Sequence, residues 1–206
     1  MLHLYHCANA RSFRVLWLLE ELGLSYALHV MQFPPRQHAP EYLALNPEGT
    51  VPYLVDGDTT LSESIAILQY LDRVHGTGRF SFAPGDQDYA PWLNWLLFGE
   101  ASLMPPLATI LRYRFFAPEE GRNEAVAAAH EALLRDRLRA LESLLAGRDF
   151  LCQRGFSTAD ISVGYVLLLA HAIGLGTFLG EATERYWQRL KSRPAFRAAH
   201  IRQAPR

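Results

Sequence analysis

The sequence predicts two architectures in series, a small α/β domain followed by a larger all-helical one. Three observations carry that prediction. Residues 2–31 alternate, then follow helical spacing, then alternate again; a proline-rich stretch leads into a hairpin signal; and from Asp86 onward no strand alternation recurs. The chain has 206 residues, 50% of them apolar and 20% charged, which is enough apolar material for a sizeable core.

Each element has its own local reason. Leu2 and Leu4 alternate with His3, Tyr5 and His6, and Val15, Leu16, Leu18, Leu19 and Leu22 then share one broad helical face. Gly23 stands where a helix ends in the left-handed conformation, and Tyr26, Leu28 and Val30 resume the alternation, so the opening is a βαβ unit with parallel strands. Pro34, Pro35, Pro40 and Pro47 then allow only an irregular excursion with one short helix. Tyr53–Val55 and Thr59–Leu61 flank the turn signal Asp56-Gly57-Asp58. Ser62 is placed as the cap of a helix running to about His75. Gly76, Gly78, Pro84 and Gly85 punctuate a linker, giving domains at 1–78 and 86–206 with 79–85 between them. Helices are expected over Tyr89–Arg114, divided or kinked at Pro105-Pro106, and over Glu119–Ala146, Thr158–Ala172 and Glu181–Lys191.

Composition excludes several classes of function. With 20 basic and 21 acidic side chains, no global field gathers nucleic acid or an anionic membrane. Neither partner is expected. The longest greasy run, Val163–Ala170, falls well short of the roughly 20 residues that span a bilayer. Cys7 and Cys152 are too few for a disulfide framework, which points to a reducing cytoplasm. The eight histidines form no His-Glu-x-x-His and no close pair sharing a helix face, so no metal is expected; a phosphate-cradling glycine loop and a Gly-x-Ser-x-Gly elbow are also missing. The seven basic residues between Arg185 and Arg206, with no acid among them, read as a solvated tail.

Two segments carry binding chemistry. Leu45-Asn-Pro-Glu-Gly-Thr-Val-Pro52 sets a proline at the start of a strand, where a cis Val51–Pro52 bond fits. Leu61-Ser-Glu-Ser-Ile65 opens a helix whose free N–H groups can hold a carboxylate, with the Ser64 hydroxyl as a further donor and Glu63 as partner for an ammonium. Together they suit an amino-acid head group.

A βαβ unit, then Asn46-Pro-x-Gly-x-Val-Pro52, a hairpin entering Ser62-Glu-Ser64 and an all-helical half resemble the cytosolic glutathione transferase superfamily along essentially the whole chain. The capping segment Ser157-Thr-Ala-Asp-Ile161, with Asp160 in place of the usual Glu or Gln, is similar to the start of that family's central C-terminal helix. The resemblance implies a thioredoxin-like first domain (βαβ-α-ββα) that holds glutathione as co-substrate. It also implies a helical domain that shapes a pocket for a small apolar electrophile, and a homodimer.

Carried over by residue, the resemblance sets the cysteinyl backbone of glutathione on Val51 beside Pro52 and its γ-glutamyl end on Glu63 and Ser64. Gly49 and Thr50 stand where relatives often carry a basic or amide side chain, leaving Arg36, Gln37 or His38 to hold the glycyl carboxylate. Counting back from Glu20-Glu-Leu-Gly23, the position of the catalytic serine or cysteine falls on Asn9. An amide N–H can stabilise a thiolate but cannot form a mixed disulfide, which favours conjugation over thiol exchange. Arg11 and Ser12 remain alternatives. Phe98, Met104, Leu107, Tyr113 and Phe116 are the candidate electrophile contacts. The rival readings are a glutathione-dependent peroxidase or disulfide reductase, and a non-catalytic binding or assembly module of the same fold.

Overall fold

The computed structural model describes residues 1–204. Two compact units make up the chain: Met1–Phe82 together with the segment beginning at Lys191, and Ala83–Leu190.

In the first unit the order is β1 (Leu2–Cys7), α1 (Ser12–Leu22), β2 (Tyr26–Met31), α2 (Pro35–His38), a 3-10 turn (Pro40–Ala44), β3 (Tyr53–Asp56), β4 (Thr59–Leu61) and α3 (Ser64–Val74). The four strands lie in the order β2-β1-β3-β4. β1 runs parallel to β2, with Leu2 opposite Tyr26, and antiparallel to β3, with Leu4 opposite Leu54. Alternation explains the two faces: Leu2, Leu4 and His6 are buried, while His3 and Tyr5 on the other face are half-buried. Tyr5 there stacks on His29 at 4.4 Å between centroids and meets Tyr42 and Tyr53.

Every residue of α1 from Ser12 to Leu19 is buried, more than a helix covering one sheet face requires. The extra cover is α9 (Pro194–Arg202). Phe196 meets Phe13 and Trp17 edge-on, with centroids at 5.4 and 4.9 Å. Arg193 grips Glu21 through two bonds of 2.6 and 2.8 Å, and Arg202 reaches Glu20 at 2.9 Å. The sequence expectation of a solvated basic tail is therefore corrected. Two of its cations answer the acidic pair that ends α1, and its aromatic residue fills that helix's outer face. Residues 191–204 accordingly pack with the first unit, not with the helical one to which residues 86–206 were assigned; Pro205 and Arg206 lie outside the described residues.

The second unit holds α4 (Tyr89–Leu97), a π turn (Phe98–Leu103), α5 (Met104–Leu111), a second π turn (Arg112–Phe116) and a 3-10 turn (Glu119–Gly121). It continues with α6 (Glu124–Leu145), α7 (Thr158–Ala172), a 3-10 turn (Leu175–Phe178) and α8 (Glu181–Ser192). Pro105 and Pro106 stand in the first turn of α5, where a missing N–H is tolerated, so the helical path continues through the π turn into α5 instead of stopping. Asn123 caps α6 by accepting from the Val126 N–H at 3.1 Å. All of Thr158–Ala170 is buried, which is why this helix reads as a nearly unbroken apolar run. Among the described residues no helix is long and apolar enough to cross a membrane.

Asp160 knits the start of α7 to its surroundings. Its carboxylate accepts from the Ser157 N–H at 2.8 Å, the Ser157 hydroxyl at 3.0 Å, the Leu151 N–H at 3.0 Å and the Tyr186 hydroxyl at 2.9 Å. Burial pushes its pKa up to about 6, against the pull of those donors. Asp160→Ala strands several buried donors at once and is expected to cost about 3 kcal/mol or more in the denaturant unfolding free energy, whereas Tyr186→Phe costs about 1 kcal/mol.

Candidate functional site

Three segments of the first unit meet at one end of its sheet. β1 ends in the turn Cys7–Ser12, and because Tyr5 pairs with Tyr53, that end runs alongside the Val51–Pro52 segment leading into β3. β4 ends with Leu61 opposite Leu54, which delivers Glu63, Ser64 and the start of α3 to the same edge.

The β1–α1 turn is built around a buried hydroxyl. Ser12 Oγ lies 2.8 Å from His6 Nδ1, accepts from the Cys7 N–H at 3.3 Å and donates to the Cys7 carbonyl at 3.4 Å. Ser12 is fully buried with its hydroxyl already committed to His6 and Cys7, so it is withdrawn as a sulfur contact: it locks the turn from beneath. The lock lifts the next residues outward, with Asn9 exposed in a left-handed backbone conformation (φ 57°) and Arg11 half-buried at the N-terminus of α1. Asn9 tolerates that conformation better than most residues. Cys7 is wholly buried and its thiol is pushed up to about 11 by burial, which makes it a packing residue and not a nucleophile. His6 is buried as well, and loss of solvent holds its pKa down at about 4.

The second segment is held by Tyr42, which the sequence did not single out, and by Asn46 and Arg36, which it named for other reasons. Tyr42 donates its hydroxyl to the Thr50 carbonyl at 2.7 Å, Asn46 adds its amide to the same oxygen at 3.0 Å, and the Asn46 Oδ1 accepts from the Glu48 N–H at 3.2 Å. Arg36 donates to the Glu48 carbonyl and lies over Gly49, where a Cβ would come within 2.8 Å of Leu43 and 3.2 Å of Arg36 itself. Gly49 also has φ +62°, so both space and backbone demand glycine there. The loop therefore enters a Val51–Pro52 bond that is cis, as is Phe33–Pro34. Thr50 is exposed, Val51 is half-buried and Pro52 is buried. Gln37 and His38 are exposed on α2 near this loop's anchor, Arg36.

At the third segment Glu63, not Ser62, is the N-cap of α3, and it is exposed. Ser64 is buried behind it and accepts from Arg14 Nη1 at 3.2 Å. A guanidinium only donates, so the Ser64 hydroxyl proton is directed to an acceptor outside the pair. Arg14, fully buried on α1, thus sets the polarity of Ser64 and lays positive charge behind the helix N-terminus. It escaped notice because it lies between Phe13 and Val15 in an apolar run.

This edge presents carboxylate-binding donors at one end, extended main chain in the middle and an amide turn at the other, a layout suited to a short acidic peptide. The model of the glutathione S-transferase N-terminal domain matches residues 1–73. Glutathione S-transferase 4 of Zea mays is 35% identical over 193 residues, covering 88% of this chain and 83% of that one. The chain belongs to the cytosolic glutathione S-transferase superfamily. Glutathione S-transferase 3 of Schizosaccharomyces pombe is 41% identical over 108 residues, a match spanning 51% of this chain and 43% of that protein. A sphingomonad glutathione S-transferase solved in complex with glutathione superposes with a TM-score of 0.83 at 27% identity, covering 98% of both chains.

The superfamily's helical half receives the five apolar candidates unequally. Met104 (1% exposed) and Leu107 (0%) are core residues of α5 and are withdrawn as substrate contacts, because the helical spacing that marked them also turns them inward. Phe98 lines an open hollow of about 430 Å³ with Tyr89, Leu93 and Leu97. Tyr113 is half-buried beside the Arg112 guanidinium, and Phe116 is 63% exposed. Among the described residues no group of three His, Cys, Asp or Glu side chains is arranged to hold a metal ion.

His6 gives the transferase turn a pH dependence. Its ordinary pKa is 6.5 and its folded value about 4, so the unfolded chain takes up this proton first as pH falls. The stabilisation is complete above about pH 6.5 and is lost progressively down to about pH 4, by about 3 kcal/mol in all. His6→Gln is expected to flatten that part of the stability–pH curve, measured as denaturant midpoints between about pH 7 and pH 4.5.

Proposed function

We propose that the first unit binds reduced glutathione extended along this edge and presents its sulfur as thiolate to a small apolar electrophile. The γ-glutamyl carboxylate takes the Ser64 hydroxyl and the α3 N-terminus, and Glu63 takes the ammonium. The cysteinyl main chain pairs with Val51 beside Pro52 and Thr50. The glycyl carboxylate lies towards Arg36 and His38. The convergence of the Asn9 turn, the Val51–Pro52 segment and the Glu63–Ser64 helix start is the observation that carries this reading.

The chemistry follows from the thiol. A free thiol of pKa about 8.5 is only a few per cent ionised near pH 7, and lowering that pKa by two units requires about 2.7 kcal/mol of preferential interaction with the anion. Donors at a helix N-terminus supply energies of this size. Asn9 is the donor proposed, with Arg11 beside it. The thiolate forms a carbon–sulfur bond to the electrophile as a leaving group such as chloride departs with the displaced electron pair, and the thiol proton goes to solvent. Peroxide or disulfide reduction through a protein thiol is disfavoured, because Asn9 has no sulfur and the Cys7 thiol is buried with a raised pKa. Phe98, Tyr113 and Phe116 are proposed as electrophile contacts. The family resemblance extends the proposal to a homodimer working in the cytoplasm.

Immobilised glutathione followed by conjugation of a chlorinated nitroarene tests the reading. Retention with turnover supports it; retention with peroxide or disulfide reduction alone moves the protein to the reductase reading, and neither retention nor turnover leaves a non-catalytic module. Asn9→Ala is expected to raise the pKa of bound glutathione by about one unit, read by ultraviolet thiolate titration.

A further inference from the structure

Asn9 does not stand alone. Its main-chain N–H donates to Gln203 Oε1 at 3.0 Å, and Gln203 Nε2 donates back to Asn9 Oδ1 at 3.1 Å. Gln203 Nε2 also lies 3.1 Å from His200 Nδ1. Gln203 is 4% exposed, so this clamp is shielded from water, although Asn9 itself is exposed. The helix that delivers it, α9, is pinned to α1 by Phe196 and by the Arg193–Glu21 and Arg202–Glu20 pairs.

The polarity of the whole chain of bonds follows from one group. A main-chain N–H can only donate, so the Gln203 atom facing it is the carbonyl oxygen. The other end of the Gln203 amide is then the NH2, which can only donate, and the Asn9 atom facing it must be Oδ1. The second hydrogen of that NH2 goes to His200 Nδ1, which therefore acts as acceptor. Asn9 is left with its own NH2 turned away from Gln203. Without the clamp, rotation by half a turn about the terminal side-chain bond interchanges the amide ends at little cost. The interchanged amide would present a lone pair to a thiolate.

We propose that Gln203 is a positioning residue that fixes the Asn9 amide with its N–H2 end towards the glutathione sulfur. This rests on the reading of Asn9 as the sulfur contact. The C-terminal segment thereby contributes to thiol ionisation without touching the substrate.

Glutathione thiolate titration on Asn9→Ala, Gln203→Ala, Gln203→Glu and the double variant Asn9→Ala/Gln203→Glu tests it, with thermal unfolding confirming that each protein is folded. Gln203→Ala should raise the bound thiol pKa by several tenths of a unit up to the one-unit rise expected of Asn9→Ala. Gln203→Glu should raise it at least as far, since a carboxylate accepts the Asn9 N–H but cannot donate to Oδ1 and so draws the amide the wrong way round. With Asn9 removed, the Gln203→Glu change should have little left to act on. A Gln203→Ala protein with the wild-type thiol pKa, alongside a shifted Asn9→Ala, overturns the positioning role and leaves the sulfur contact standing. An Asn9→Ala protein with unshifted pKa overturns both. Equal shifts from Gln203→Glu with and without Asn9 would mean a simple charge effect and would also sink the inference.

Discussion

The edge where the three segments meet depends on a hydroxyl buried beneath it. Ser12 ties the last residues of β1 to the first turn of α1 through His6 and both main-chain groups of Cys7. His6 Nε2 stays unpaired in the interior, but a path that broke the Ser12 bonds would strand the Ser12 hydroxyl and the Cys7 main-chain groups as well, at a cost of about 1–3 kcal/mol each. The observed path puts Cys7 inside and Asn9 outside. The lock therefore decides which side chain is excluded from the core, and the same geometry keeps the protein's own thiol inside.

The other two segments repeat the device with different residues. Tyr42 and Asn46 converge on one carbonyl, that of Thr50, and Arg14 commits the Ser64 oxygen as an acceptor. Arg14 can only donate, which leaves the Ser64 hydroxyl proton for a partner outside the pair, while the Tyr42 hydroxyl accepts from Asn46 as it donates to Thr50. Burial pushes the Tyr42 hydroxyl up to about 12, which keeps it a neutral donor across the physiological range. Preorganisation of this kind lowers the entropy lost when a flexible ligand is captured.

Much of the first unit was legible because its signals are local. Alternation at Leu2–His6, Gly23 after the helix, Asp56-Gly57-Asp58 between strands and the Ser157–Asp160 cap each depend on residues a few positions apart. The cis Val51–Pro52 bond and the helix that follows Leu61 were legible for the same reason. What escaped is non-local. Nothing near Gln203 in the chain announces Asn9, and Arg193 reads as a solvated cation until Glu21 is placed opposite it. Arg14 was hidden by its apolar neighbours, and Ser12 could not be told from a surface cap without knowing that His6 faces inward. Met104 and Leu107 failed in the opposite sense, since apolar spacing marks a helix face but not whether that face meets substrate or core.

The α9 strap has a bearing on how the protein comes into being. The clamp at Asn9 joins residues 194 positions apart, and Phe196 fills a face of α1 from nearly as far away. During synthesis residues 1–82 emerge long before α9 exists, so the nascent first unit carries Phe13 and Trp17 uncovered while the helical unit is still being made. The bonds between Asn9 and Gln203, and the Phe196 cover of α1, can therefore form only once residues 194–203 have been made.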